Sequence, residues 1–137
     1  MSEIHTSCVY FTQAGPRNTA RTLELARSRL GALGIRQVVV ATTGGATGVQ
    51  AAQLFLTGGD RPAGLEVVVV THSTGFKAPG TQELTSENRA AIEAAGAQIL
   101  TCQHAFGGVG RAVRKKLGTY ELEEIVAYTL RAFCEGM

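Results

Sequence analysis

Three short polar segments rich in glycine each close an apolar run of the chain, and their side chains are the ones with chemistry to offer. The first, Thr42-Thr43-Gly44-Gly45-Ala46-Thr47-Gly48, follows VVVA and opens into Val49-Gln50-Ala51-Ala52, which reads as a helix. A strand that turns through glycines into a helix start offers free amides and the positive end of the helix dipole, which together suit an anion such as phosphate. The hydroxyls of Thr42, Thr43 and Thr47 add hydrogen-bonding groups to that loop. The second segment, His72-Ser73-Thr74-Gly75-Phe76-Lys77, brings an imidazole that exchanges a proton near neutral pH and a lysine suited to pairing with an anion. The third is Gln103-His104-Ala105-Phe106-Gly107-Gly108.

Each feature also has a plainer reading. A glycine-rich turn serves tight packing alone, a histidine at a strand end serves as a hydrogen-bonding loop residue, and an exposed lysine is solvated. Arg111, Arg114, Lys115 and Lys116 read as a solvated basic connection. Cys102, at a strand end, has no helix start or fixed cation set against it by sequence. Two phosphate motifs fail outright. A Walker A loop needs Lys after its last glycine, where this chain has Val49, and a dinucleotide fingerprint needs glycine where Thr43 stands. Ser73 beside His72 is no nucleophile signature, because no Gly-x-Ser-x-Gly elbow surrounds it.

The elements that would position these loops alternate between β-branched runs and helical stretches, the pattern of βαβ units and a largely parallel sheet, so the fold class is α/β. SCVYF (residues 7–11) is a short candidate strand. Asn18-Thr19 supplies N-cap chemistry for a helix to about Leu33, with Leu23, Ala26, Leu30 and Leu33 on one face and Gly34 as its stop. QVVVAT (37–42) follows as a strand, central by composition, whose unbroken apolar run implies cover on both faces. A helix over about 46–56, a strand over 65–71, a helix over about 85–95 with Ala91, Ile92 and Ala95 inward, and a strand over 97–102 complete the repeat. Residues 103–118 read as a connection. Behind them, Leu122, Ile125, Val126, Thr129, Leu130 and Phe133 recur at helical spacing.

The 137 residues, 45% of them hydrophobic, suffice for a single domain with one ordinary core. A net charge of +2 with mixed signs gives no reason to propose nucleic acid or a membrane surface as partner. No apolar run approaches a membrane span and MSEIHTS lacks signal-peptide features, so a cytoplasmic location is expected. Three cysteines without metal spacing argue against a disulfide framework or zinc site, and Cys8 and Cys134 read as small core fillers.

Taken in order, VYFTQAGPRNTARTLELA, VVVATTGGATG, VVVVTHSTGFKAPGTQEL, AFGGVG and EEIVAYTLRAFCEG resemble the stand-alone relatives of the pyruvate kinase C-terminal α/β domain, over nearly the whole chain. The resemblance implies a three-layer α/β/α domain with a mainly parallel sheet of order 3-2-1-4-5, without the catalytic barrel and its metal and phosphoenolpyruvate ligands. In pyruvate kinase the matching loop cradles a phosphate of a sugar bisphosphate effector, and the stand-alone relatives resemble binders of flavin mononucleotide (FMN). What this implies for the chain is Thr43, Gly44, Gly45, Ala46 and Thr47, with Thr42 leading in, around a phosphate. His72, Ser73, Thr74, Gly75 and Phe76 form the neighbouring wall, and Asn18-Thr19 serves the cap, the ligand or both.

The family pattern continues into further strands where this chain stops at Met137, so strands 4 and 5 are expected to be missing and strand 1 to form an exposed apolar edge. A truncated chain would account for this, or else a homo-oligomer or SCVYF would cover that edge. Two functions remain: binding of FMN or another phosphorylated small molecule, and a non-catalytic regulatory or interaction module sensing a phosphorylated metabolite.

Overall fold

The computed structural model describes Glu3 and residues 5–59, 61–103 and 107–119, together with Glu121, Ile125 and Thr129. Its elements run in the order α1 (Thr19–Leu33), β1 (Gln37–Ala41), α2 (Ala46–Ala52) continued by a π-helical turn (Gln53–Thr57), β2 (Glu66–Thr71), α3 (Ser86–Ala94), β3 (Gln98–Thr101) and α4 (Gly107–Leu117). The three strands form one parallel sheet in the order β1-β2-β3, which is the α/β class expected of strands alternating with helices. The register pairs Val38 with Val67, Val40 with Val69 and Val69 with Ile99, so these residues share one face of the sheet.

That face carries the core. Leu23 and Leu30 of α1, Ala51 and Ala52 of α2, Phe55 and Leu56 of the π-turn and Ile92 of α3 cluster with Val67 and Val69, and Val38, Val40 and Ile99 pack against them. Phe55, Leu65, Ile92 and Val69 are the largest fully buried side chains. The opposite face is less covered among the described residues: Val39 is 71% exposed and Leu100 50%, while Val68 and Val70 of β2 are half-buried.

Several sequence expectations change here. The central strand of the described sheet is β2, with Val67, Val69 and Thr71 buried, whereas β1, central by composition, pairs among the described residues with β2 alone and lies at the edge, the place the family resemblance implied for it. β-branched composition records apolar contact on a pleated surface and cannot by itself tell an edge from a centre. Residues 7–11 form no strand and are exposed, Cys8 included, because a strand exists only with a ladder partner and the described sheet ends at β1. Leu33, in the last turn of α1, is 58% exposed, and Ala26 is exposed as well. Asn18 stands at the N-cap of α1 with helical backbone angles and no side-chain cap bond; its Nδ2 donates instead to the Gln13 carbonyl at 2.6 Å, holding the preceding loop. Gly34, left-handed at φ 64°, ends α1 as expected, with Ile35 N donating to Leu30 O at 3.1 Å.

The basic connection is also helical. Residues 107–117 form α4, with Arg114, Lys115 and Lys116 in its last turn, where cations suit the negative end of the dipole. Of the helical pattern after it, Glu121, Ile125 and Thr129 are helical and Ile125 is 64% exposed. Leu122, Val126, Leu130, Phe133 and Cys134 lie outside the described residues, as do His104, Ala105 and Phe106.

Candidate functional site

Thr42 N donates to Val70 O at 2.9 Å just beyond β1, which sets the carboxyl ends of β1 and β2 side by side. In an open parallel sheet this is the end where ligands bind. From there the chain turns sharply. Gly45 adopts φ 106° and its amide donates to Thr42 Oγ1 at 3.2 Å, so the first threonine hydroxyl closes the turn. Among the described residues no side chain caps the first turn of α2, and an uncapped turn leaves its leading amides without an intrahelical partner. Thr43, Gly44 and Ala46 are exposed, Thr42 and Thr47 half-buried.

The glycines of this loop do different work. A Cβ on Gly45 would lie 2.5 Å from Asn88 Cβ and 2.7 Å from Leu84 Cδ1, and one on Gly48 would lie 2.7 Å from Val69 Cγ1. Both therefore serve packing against α3 and β2, the plainer of the two readings open from sequence. Gly44 differs: within 4 Å a Cβ there would meet Glu83 O alone, at 3.9 Å.

Segment 72–85 follows β2 and connects to the turn after β1. His72 Nδ1 lies 2.9 Å from Glu83 Oε2, the imidazole less than half exposed and the carboxylate 19%. The Phe76 ring sits 4.5 Å from the His72 ring at an interplanar angle of 52°. Gln82 Nε2 donates to His72 O at 3.2 Å and to Thr74 Oγ1 at 3.5 Å, Gly75 N donates to Thr81 O at 2.8 Å, and Phe76 N donates to Ser73 O at 3.2 Å. The loop thus folds on its own bonds, while Lys77 projects exposed from it. Asn88 Nδ2 donates to Gly44 O at 2.8 Å, with Thr85 N on the same oxygen at 3.5 Å. The start of α3 is therefore bonded to the turn after β1.

Thr85 is the N-cap of α3, its Oγ1 accepting from Asn88 N at 3.2 Å. Hydrogen bonds from its own backbone amide and from the Thr85 and Ser86 side chains hold the exposed Glu87 carboxyl below the usual carboxylate range. Thr85→Ala is expected to cost about 1 kcal/mol through the lost cap, a fall in Tm of roughly 4 °C for a chain of this size. Thermal unfolding followed by circular dichroism checks it.

Of the expected residues, Thr42, Thr43, Gly44, Gly45, Ala46 and Thr47 form the turn after β1, and His72, Ser73, Thr74, Gly75 and Phe76 begin the loop after β2. Sequence reasoning missed Glu83, Gln82 and Asn88. Glu83 and Gln82 stand in a polar TQEL run whose pairing with His72 is set by the loop's return path, and Asn88 meets Gly44 across 44 positions. Cys102 is exposed. Among the described residues no three His, Cys, Asp or Glu side chains gather as a metal site, and no helix is long and apolar enough to cross a membrane. A shallow depression bounded by Gly34, Arg36, Gln37 and Glu66 lies at the opposite, amino end of the strands.

A scan against protein-family models finds no match. Among solved structures the chain is similar to a crystal structure of O-ureido-L-serine synthase, at 20% identity and a TM-score of 0.41, over 75% of this chain and 30% of that one. The chain spans less than a third of that protein's length, and a likeness of this extent says nothing about the site.

Proposed function

We propose that the chain binds a small molecule through a terminal phosphate at the loop Thr42–Thr47, and that the ligand is FMN, with segment 72–76 as the wall beside it. The observation that carries this reading is the open Thr43-Gly44 step. Gly45 turns the chain so that the exposed loop and the uncapped first turn of α2 meet at the carboxyl ends of β1 and β2. Backbone amides with no side-chain cap are donors that an anion satisfies. Exposed Thr43 and half-buried Thr47 offer hydroxyls to the same oxygens. The resemblance to the pyruvate kinase C-terminal domain points to the same loop.

FMN would bring its own redox chemistry, and the chain's residues would bind and orient it. Protein purified without added cofactor is expected to carry flavin absorbance, with FMN recovered by mass from the denatured sample. Colourless protein that is stabilised by sugar phosphates would move the reading to a sensor of a phosphorylated metabolite. Protein whose Tm responds to neither FMN nor sugar phosphates nor inorganic phosphate would overturn it.

A further inference from the structure

We propose that the edge of β1 is an interaction surface for a second copy of this chain, which joins it antiparallel across a two-fold axis at Val39 and makes one sheet of two. At the ends of β1, Arg36 O accepts from Glu66 N at 2.8 Å and Thr42 N donates to Val70 O at 2.9 Å. Pairing alternates along a parallel strand, so Val38 and Val40 also turn their backbone groups to β2, while those of Gln37, Val39 and Ala41 point away from it. Among the described residues no strand receives them. β1 pairs with β2 alone, and residues 7–11, the segment of this chain expected to form a strand there, form none and are exposed.

The strand itself points to the occupant. Natural edges that avoid self-association carry a charge, a proline or a bulge, whereas Gln37–Ala41 (QVVVA) has neither charge nor proline and pairs in unbroken register. Nor does it carry a charge by which a foreign strand would be selected. Set antiparallel about Val39, the strand is its own complement: Gln37 faces the second copy's Ala41, Val39 faces Val39, and Ala41 faces Gln37. Each of these pairs exchanges N–H and C=O bonds, and no like charges are opposed. The exposed Val39 side chains then lie side by side, and the less covered, valine-lined face runs on from one copy into the other. A strand of five residues buries less than the roughly 800 Å² per partner of a standard interface, so the dimer is weak and forms as concentration rises. The two Thr42–Thr47 turns, at the carboxyl ends of antiparallel strands, stand at opposite ends of the joined sheet.

Sedimentation velocity over a concentration series tests this, together with amide hydrogen exchange at Gln37, Val39 and Ala41. Wild type is expected to pass from monomer to dimer as concentration rises, with its Tm rising alongside and the three amides becoming protected. Val39→Lys puts a charge at an exposed edge position and should weaken association by at least about tenfold, with a circular dichroism spectrum like that of wild type and the three amides exchanging freely. If that variant does not fold, the concentration dependence of exchange in wild type decides alone. Wild type that stays monomeric at every concentration would overturn the proposal, and protection of the three amides in that monomer would assign the edge to a segment of the same chain. A dimer that Val39→Lys leaves intact, or whose three amides exchange as in the monomer, would place the contact elsewhere and overturn it as well.

Discussion

Gly45→Val is expected to destabilise the fold by roughly 2–6 kcal/mol, from a strained backbone and a steric overlap that add. The backbone at φ 106° lies in the region that side-chain-bearing residues rarely adopt, and a β-branched side chain adopts it least well. The new Cβ would also stand 2.5 Å from Asn88 Cβ and 2.7 Å from Leu84 Cδ1, and Leu84 belongs to the core cluster. Relief requires α3 to move away from the loop, which breaks the Asn88 Nδ2 bond to Gly44 O. A fall in Tm of more than about 8 °C is expected, measured by circular dichroism. An unchanged Tm would mean that the loop does not pack against α3. Because the residue holds the fold, its loss of ligand binding would say nothing about the ligand, and the phosphate test belongs elsewhere in the loop.

Phe55→Ala is expected to cost about 3–5 kcal/mol, the range for removing a buried aromatic ring and leaving a cavity. Phe55 is 2% exposed and lies in the π-turn that continues α2, within the cluster shared by α1, α2, α3 and β2. Chemical denaturation should show a lower midpoint with a similar slope. Leu33→Ala, by contrast, touches a side chain 58% exposed and should stay within about 0.5 kcal/mol of wild type. Equal costs for the two substitutions would contradict the packing described for α1 and the π-turn.

The contrast between Phe55 and Leu33 shows what the sequence could convey. Alternation of valine-rich runs with helical stretches was enough to place β1, β2 and β3 within a residue or two, and the glycines at 34 and 96 marked helix ends correctly. Those are local signals. Which strand lies at the centre is a tertiary property, and the valines of β1 and β2 look alike until the ladder is known. Leu33 sits in phase with Leu23 and Leu30 yet falls beyond the reach of the core, because periodicity gives direction around a helix and not distance along a sheet.

The same division runs through the site. Thr42 to Thr47 and His72 to Phe76 could be placed at the ends of β1 and β2 from sequence because each group is contiguous and follows a recognisable strand. Glu83 and Asn88 reach those groups through a return path and a 44-residue separation that no spacing rule encodes. Nor could the sequence divide the loop's glycines by purpose. Gly45 and Gly48 answer to neighbours inside the protein, and Gly44 alone among these three has open space where a side chain would go.

Gly44 is therefore the position at which the phosphate assignment can be tested without disturbing the fold. Gly44→Asp places a carboxylate at the mouth of the loop, where its Cβ meets nothing closer than Glu83 O at 3.9 Å. The decisive measurement is FMN and inorganic phosphate affinity of wild type and Gly44→Asp at one pH and salt concentration, with Tm recorded alongside. The expected result is an affinity at least about tenfold weaker through like-charge repulsion, with Tm close to wild type. Undiminished affinity in a folded Gly44→Asp protein would contradict the assignment of this loop to the phosphate.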